Sequence, residues 1–162
     1  MSDLRSVFET LHASYQPMVL QMCRGFMKGD NEMAADLSQE IFINVWNALP
    51  SFRSESSHKT WIYRITVNTC LQQIRKSKNK IRVPIEHAGA IAEAESNKDE
   101  QSSQLMRAIG QLDNIDRLII MMVLDELEYE EIARVMGISE NNLRVKIHRI
   151  KQRLKTLLNH GE

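Results

Sequence analysis

Glu130-Glu131-Ile132-Ala133-Arg134-Val135-Met136-Gly137-Ile138-Ser139-Glu140-Asn141-Asn142-Leu143-Arg144-Val145-Lys146-Ile147-His148-Arg149 reads as two helices around a tight turn. Ile132, Ala133 and Met136 form an inner stripe at helical spacing. Gly137 suits the left-handed turn between two helices, where a Cβ would be costly. Ser139 is a good N-cap, because its hydroxyl can accept from an otherwise unpaired backbone N–H. Beyond it, Leu143, Ile147, Ile150 and Leu154 fall within a narrow arc at about 100° per residue. The opposite arc presents Asn141, Arg144, Val145, His148, Arg149 and Gln152. Such a face can enter a major groove, with Arg reading guanine edges and Asn reading adenine. The plainer alternative is an amphipathic core helix with a basic exterior. The Ala, Gly and apolar positions taken together favour a helix-turn-helix.

Outward from that motif, helical periodicity dominates. Upstream it runs from Leu105 through Ile109 and Leu112, then from Ile115 to Leu127. Residues 85–103 are rich in Ala, Glu, Ser, Asn, Asp and Gln and poor in apolar side chains, which predicts a linker, with room for fragments of helix. In the N-terminal part, Leu4, Val7, Phe8, Leu11, Met18, Val19, Met22 and Phe26 keep helical spacing. Pro17 marks either a boundary or a first turn there. Gly29-Asp30-Asn31 is a break, a helix follows to Leu49, and Pro50 stops it. Residues 51–57 read as a polar loop and residues 59–78 as another helix. The expected fold is all-α. Two small helical domains, 1–83 and 105–162, are joined by a flexible linker at 84–104, and the second domain carries the helix-turn-helix.

Composition narrows the function. The 162 residues hold 43% hydrophobic side chains but only 6 Gly and 3 Pro, which disfavours an all-β chain full of tight turns. Cys23 and Cys70 are too few for a disulfide scaffold and match no metal-ligand spacing, so no metal and no cofactor are expected. The five histidines are dispersed, no Gly-rich phosphate loop is present, and no nucleophile–base pair is visible, so an enzyme and a small-molecule substrate are not expected. Glu130-Glu131 reads as a solvated helix start rather than an acid/base pair. No apolar run reaches roughly 18 residues and the start lacks a signal-peptide pattern, so neither membrane insertion nor export is expected and a cytoplasmic location is.

The zero net charge conceals segregation. Residues 1–57 carry net −3, residues 58–84 net +7 with no acid, residues 85–131 net −9, and residues 132–162 net +5. Two basic blocks separated by an acidic one suit two separate polyanion contacts. Two further anomalies lie in the first half. On the helix 31–49, Ala34, Leu37, Ile41, Val45 and Leu49 share a face, yet Ile43 falls among Asp36, Gln39, Glu40 and Asn47, with Trp46 at the edge. A large apolar residue amid carboxylates and amides suits a protein-docking face, although single exposed apolar residues are common. On the helix 59–78, Trp61, Ile62 and Ile65 lie on one side and Val67, Leu71 and Ile74 on the other, interleaved with Arg64, Asn68, Arg75 and Lys78. Aromatics beside cations suit single-stranded nucleic acid, rings stacking on bases and cations following phosphates; a core aromatic is the simpler origin of Trp61.

The chain resembles the small, two-domain RNA polymerase sigma factors of the extracytoplasmic-function type. The first half does so through Asp36-Leu-Ser-Gln-Glu-Ile-Phe-Ile-Asn-Val-Trp, Ser51-Phe-Arg and Thr60-Trp-Ile-Tyr-Arg-Ile-Thr-Val-Asn-Thr. The second does so through Leu127-Glu-Tyr-Glu-Glu-Ile-Ala, Met136-Gly-Ile-Ser and Asn142-Leu-Arg-Val-Lys-Ile-His-Arg. The resemblance implies a factor that docks on core RNA polymerase and directs it to promoter DNA. By that resemblance Asp36, Gln39, Glu40 and Ile43 meet the clamp helices of the polymerase's largest subunit. Phe52 and Arg53 capture an unstacked base of the −10 element, flanked by Trp61, Arg64 and Asn68. Asn142, Arg144, Val145, His148 and Arg149, with Asn141 beside them, read the −35 duplex. Val145 stands where the family usually has a small polar residue, which suggests contact with a thymine methyl. An anti-sigma factor is a further expected partner. Two rivals remain at this stage: a stand-alone helix-turn-helix regulator with an N-terminal dimerisation domain, which predicts tight polymerase-independent duplex binding, and a helical adaptor without nucleic-acid affinity.

Overall fold

The computed structural model describes residues 3–79 and 100–160, and among them it holds seven α-helices and one 3-10 turn. They are α1 (Leu4–Phe26), α2 (Asn31–Ala48), the 3-10 turn (Leu49–Ser51), α3 (His58–Asn79), α4 (Glu100–Gly110), α5 (Asn114–Leu124), α6 (Tyr129–Met136) and α7 (Glu140–Asn159). Most of the expected linker lies outside the described residues, but its end does not. Helix α4 begins at Glu100, five residues before the first periodic apolar residue, Leu105. The helix-forming Gln and Glu there extend the amphipathic segment by one exposed turn.

Local chemistry sets the helix ends. Asp30 accepts from the Met33 N–H at 3.0 Å and caps α2, after a reversal in which Lys28 and Gly29 both take positive φ. The Ser57 hydroxyl accepts from the Thr60 N–H at 3.1 Å, and Asp113 caps α5 through the Asp116 N–H at 3.0 Å. Pro17 neither ends nor starts a helix: α1 runs through it unbroken. Its exposed position and the length of helix on either side compensate for the one donor it lacks. Pro50 does stop α2, and the chain tightens into the 3-10 turn.

The core is continuous across both halves. Val19, Met22, Ala34, Ile41, Val45, Ile62 and Val67 fill the space among α1, α2 and α3. Ile109, Leu118, Met122, Ile132, Leu143, Ile147 and Ile150 do the same among α4 to α7. Fully burying the Val, Leu, Ile and Met side chains among these contributes about 1.5–3 kcal/mol each relative to exposure. The halves then meet, α1 against α5 and α3 against α6. Gly25 permits the first contact, since a Cβ there would collide with the Met121 side chain. The second explains why α3 is apolar on two sides: Ile62, Tyr63, Thr66, Val67, Thr69 and Cys70 are all buried, and α3 is covered by α1, α2 and α6.

Candidate nucleic-acid interface

The helix-turn-helix is built as its residues require. Gly137 follows α6 with φ 72° and ψ 32°, the left-handed region. Ser139 caps α7, its hydroxyl accepting from the Asn142 N–H at 3.1 Å. Leu143, Ile147, Ile150 and Leu154 are buried, while Asn141, Asn142, Arg144, Val145, His148 and Arg149 are exposed, Val145 to 49%. One detail differs on α6. Ile132, Ala133 and Val135 are the buried residues, and Met136, expected inside, is only partly covered at the helix end. Arg144 is not a free cation. Its Nη2 donates to Glu140 Oε2 at 2.6 Å, and its guanidinium lies 5.2 Å from the centre of the Tyr129 ring. Those two side chains hold it along the helix, against α6.

In the first half, Phe52 closes the 3-10 turn and its ring sits 4.7 Å from Trp61 and 4.8 Å from His58. Phe52 and Trp61 are both part-exposed, and Arg53 is exposed beside them. On α3, Trp61, Arg64, Asn68, Gln72 and Arg75 fall on one arc at about 100° per residue. Arg64 is part-exposed, Asn68 and Arg75 exposed, and α3 contains no acidic residue. The result is an aromatic head on a basic strip. Lys78 belongs to this helix, but its side chain lies outside the described ones.

On α2, Asp36 and Gln39 are exposed and Glu40 is part-buried, within 3.8 Å of Lys76 on α3. Ile43 is 59% exposed and Trp46 44%. Met33, which sequence reasoning passed over, lies on the same face at 47% exposure. Its spacing from Asp36 and Glu40, three and seven residues, is the signal that marks it. Trp46 is steadied by Phe8, edge to face at 5.3 Å.

The two halves match the Sigma-70 region 2 family over residues 11–80 and the Sigma-70 region 4 family over residues 102–154. The RNA polymerase sigma factor YlaC of Bacillus subtilis is 30% identical over 76% of this chain and 76% of its own. The ECF RNA polymerase sigma factor SigM of the same organism is 29% identical over 83% of this chain and 85% of its own. The chain belongs to the extracytoplasmic-function sigma factors. The sigma-E factor of Escherichia coli strain K12 is 29% identical over 91% of the chain and 84% of its own length. The sigma factor fold is shared with a sigma factor RpoE solved in complex with the anti-sigma factor NepR from Bartonella quintana, at TM-score 0.74, 21% identity, and 94% and 96% coverage of the two chains. It is shared too with CnrH in complex with the cytosolic domain of CnrY, at TM-score 0.71, 21% identity, and 98% and 91% coverage.

As a sigma factor the chain is a transcription initiation factor, and its chemistry is recognition rather than catalysis. Burial pushes Cys23 up to about 12 and Cys70 further still, so neither is a ready nucleophile. Among the described residues no helix is long and apolar enough to cross a membrane. Sequence reasoning also missed the buried polar residues. Arg117 is 4% exposed; its Nε donates to the Phe26 carbonyl at 3.2 Å, its Nη1 to the Leu112 carbonyl at 2.7 Å, and its Nη2 to Asn114 Oδ1. Burial lowers its pKa from the ordinary guanidinium value, with Asp113 opposing. Helix α5 is apolar throughout from Leu118 to Leu124, and the packing of that segment takes Arg117, at its start, into the core with it. Glu131, expected in solvent, accepts from Thr60 Oγ1 of α3 at 2.7 Å and pairs with Arg134 at 3.1 Å.

Proposed function

We infer that this sigma factor docks on core RNA polymerase through Met33, Asp36, Gln39, Glu40, Ile43 and Trp46 of α2, and then recognises two promoter elements. Phe52 and Arg53 capture an unstacked −10 base, and Trp61, Arg64 and Asn68 guide the single strand along α3. Asn141, Asn142, Arg144, Val145, His148 and Arg149 read the −35 duplex. The domain division follows: 1–83 for docking and the −10 element, 105–162 for the −35 element. An anti-sigma factor, such as the one bound by the Bartonella relative, is the regulatory partner.

The observation that carries the reading is the Phe52–Trp61 pair, 4.7 Å apart, at the head of a helix with cations and no acids. Unstacking a base costs a few kcal/mol, and stacking on an aromatic ring returns about 1–3 kcal/mol per base. Arg144, held by Glu140 and Tyr129, is pre-set in length and direction, and DNA would exchange Glu140 for a guanine edge. Docking on polymerase raises the effective concentration of both DNA-reading surfaces, which a chain of zero net charge needs.

The test is reconstitution with core polymerase and transcription from a promoter library. Wild-type chain should select a two-part promoter. Phe52→Ala should bind the closed complex but melt it poorly, with a premelted template restoring most activity. Normal permanganate reactivity at the −10 element in Phe52→Ala refutes the base-capture role. Tight duplex binding without polymerase would instead establish a stand-alone regulator.

A further inference from the structure

We propose that Tyr129 is a specificity-determining residue that acts through Arg144: its ring supports the guanidinium, so that Arg144 meets the −35 duplex as a base reader and not as a mobile cation. This rests on the assignment of Arg144 to the −35 element and adds the residue that sets its selectivity.

Tyr129 opens α6, part-exposed and packed at the margin of the core. Helices α6 and α7 are in contact, and the Arg144 guanidinium carbon lies over the Tyr129 ring, 5.2 Å from its centre. That is inside the reach of a cation–π attraction, about 6 Å. Arg144 has a second tie on its own helix, Nη2 donating to Glu140 Oε2 at 2.6 Å. Both partners of that pair face solvent, Arg144 at 57% and Glu140 at 42% side-chain exposure.

DNA acts on these two ties differently. Glu140 occupies an N–H donor, and donors are what a guanine edge needs. An exposed pair four residues apart on a helix is also weak, so Glu140 gives way at little cost. Tyr129 takes up no donor in a directed hydrogen bond, because a ring attracts the cation through its π face. Arg144 can therefore keep Tyr129 and bind guanine at once. Of its two partners in the free chain, the ring is the one compatible with the bound state.

Selectivity follows from what the ring prevents. An arginine on a groove-facing helix has two kinds of DNA partner: guanine O6 and N7 carry sequence, whereas phosphate oxygens carry affinity alone. A long, rotamer-rich side chain left free reaches either. Over Tyr129 the guanidinium is confined, a swing toward a flanking phosphate gives up the ring, and the ordering that a bidentate contact needs is done in advance. The neighbours of Tyr129 add to this. Glu128 and Glu130, both exposed, stand on either side of it in the chain, and their charge disfavours phosphate near the ring.

The experiment uses the full chain with core polymerase, transcribing a promoter library randomised over the −35 element at two salt concentrations. Arg144→Ala first locates the position that Arg144 reads. Tyr129→Phe keeps the ring; Tyr129→Leu keeps apolar bulk without a π face. Tyr129→Phe should retain the parental preference. Tyr129→Leu should lose roughly two- to fivefold of discrimination at the Arg144 position, the size of an exposed cation–π contact, and leave the other positions unchanged. Its salt slope should rise by about one as Arg144 takes a phosphate. In the Arg144→Ala background, Tyr129→Leu should leave that position unaltered. Parental discrimination in Tyr129→Leu overturns the proposal. So does a loss spread evenly over all positions, which is the mark of packing alone, or an equal loss in Tyr129→Phe, which would put the effect on the hydroxyl. If Tyr129→Leu does not fold, Tyr129→Met, flexible enough to fill the same space, takes its place. An Arg144→Ala variant with parental preference at every position would refute the −35 assignment itself, and the role of Tyr129 with it.

Discussion

Gly137 holds φ 72° with no atom near the position a Cβ would take, so the cost of a side chain there is purely conformational. Gly137→Ala should therefore destabilise the chain by about 1–2 kcal/mol without disturbing packing. Urea unfolding followed by circular dichroism would show a lower midpoint and an unchanged slope; an unchanged midpoint would mean that the turn relaxes. Ser139, capping at 3.1 Å, was equally readable, because an N-cap depends on two or three adjacent residues. The same locality made the arc of Asn141, Arg144, Val145, His148 and Arg149 legible, all exposed as expected. Arg144's restraint was not legible in full. Glu140 is four residues away and foreseeable, but Tyr129 reaches it only because α6 folds back on α7.

At the scale of the element, α2 and α7 each present one committed face. Ile43→Asp should weaken binding to core polymerase while leaving helical content near normal, because a residue 59% exposed contributes little to the core. A pull-down titration checks this, and parental affinity would remove α2 from the docking role. On α7, Arg144→Ala should relax preference at one −35 position, a bidentate contact being worth about 1–3 kcal/mol of discrimination. Lys155→Ala, also exposed but nearer the C-terminal end of α7, should lower affinity for all sequences alike and reduce the salt slope. Library transcription at two salt concentrations separates the two. Loss of discrimination in Lys155→Ala alone would mean that α7 lies in the groove in the reverse sense. Helix α3 resisted such a reading. Its two apolar sides were legible in the spacing, but not what the second one meets: Thr60 bonds to Glu131 of α6, and Tyr63 is buried where α3 packs on α6.

For the whole molecule, the junction of the halves turns on Arg117. Arg117→Met keeps much of the side-chain volume but leaves the Phe26 and Leu112 carbonyls without their donor. At about 1–3 kcal/mol for each buried acceptor so stranded, the loss should be about 3 kcal/mol. Chemical denaturation would measure it. A change below about 0.5 kcal/mol would show that water enters the site and that the crossing bond to Phe26 does not hold the halves together.

Helix positions, caps, the helix-turn-helix and the segregation of charge were determined by the sequence itself. Each is a relation among residues within about four positions, or a sum over a contiguous block, and hydrophobic spacing and backbone chemistry act over that range. The amphipathic faces of α2 and α7 follow from the same periodicity. Only the tertiary structure decided what the second apolar side of α3 meets and why a lone arginine is buried in α5. It also decided that an acidic turn lies against a basic helix. Those contacts join residues far apart in the chain, 62 positions for Tyr63 and Asp125 and 91 for Arg117 and Phe26. Their free energy depends on which surfaces the completed core leaves facing one another.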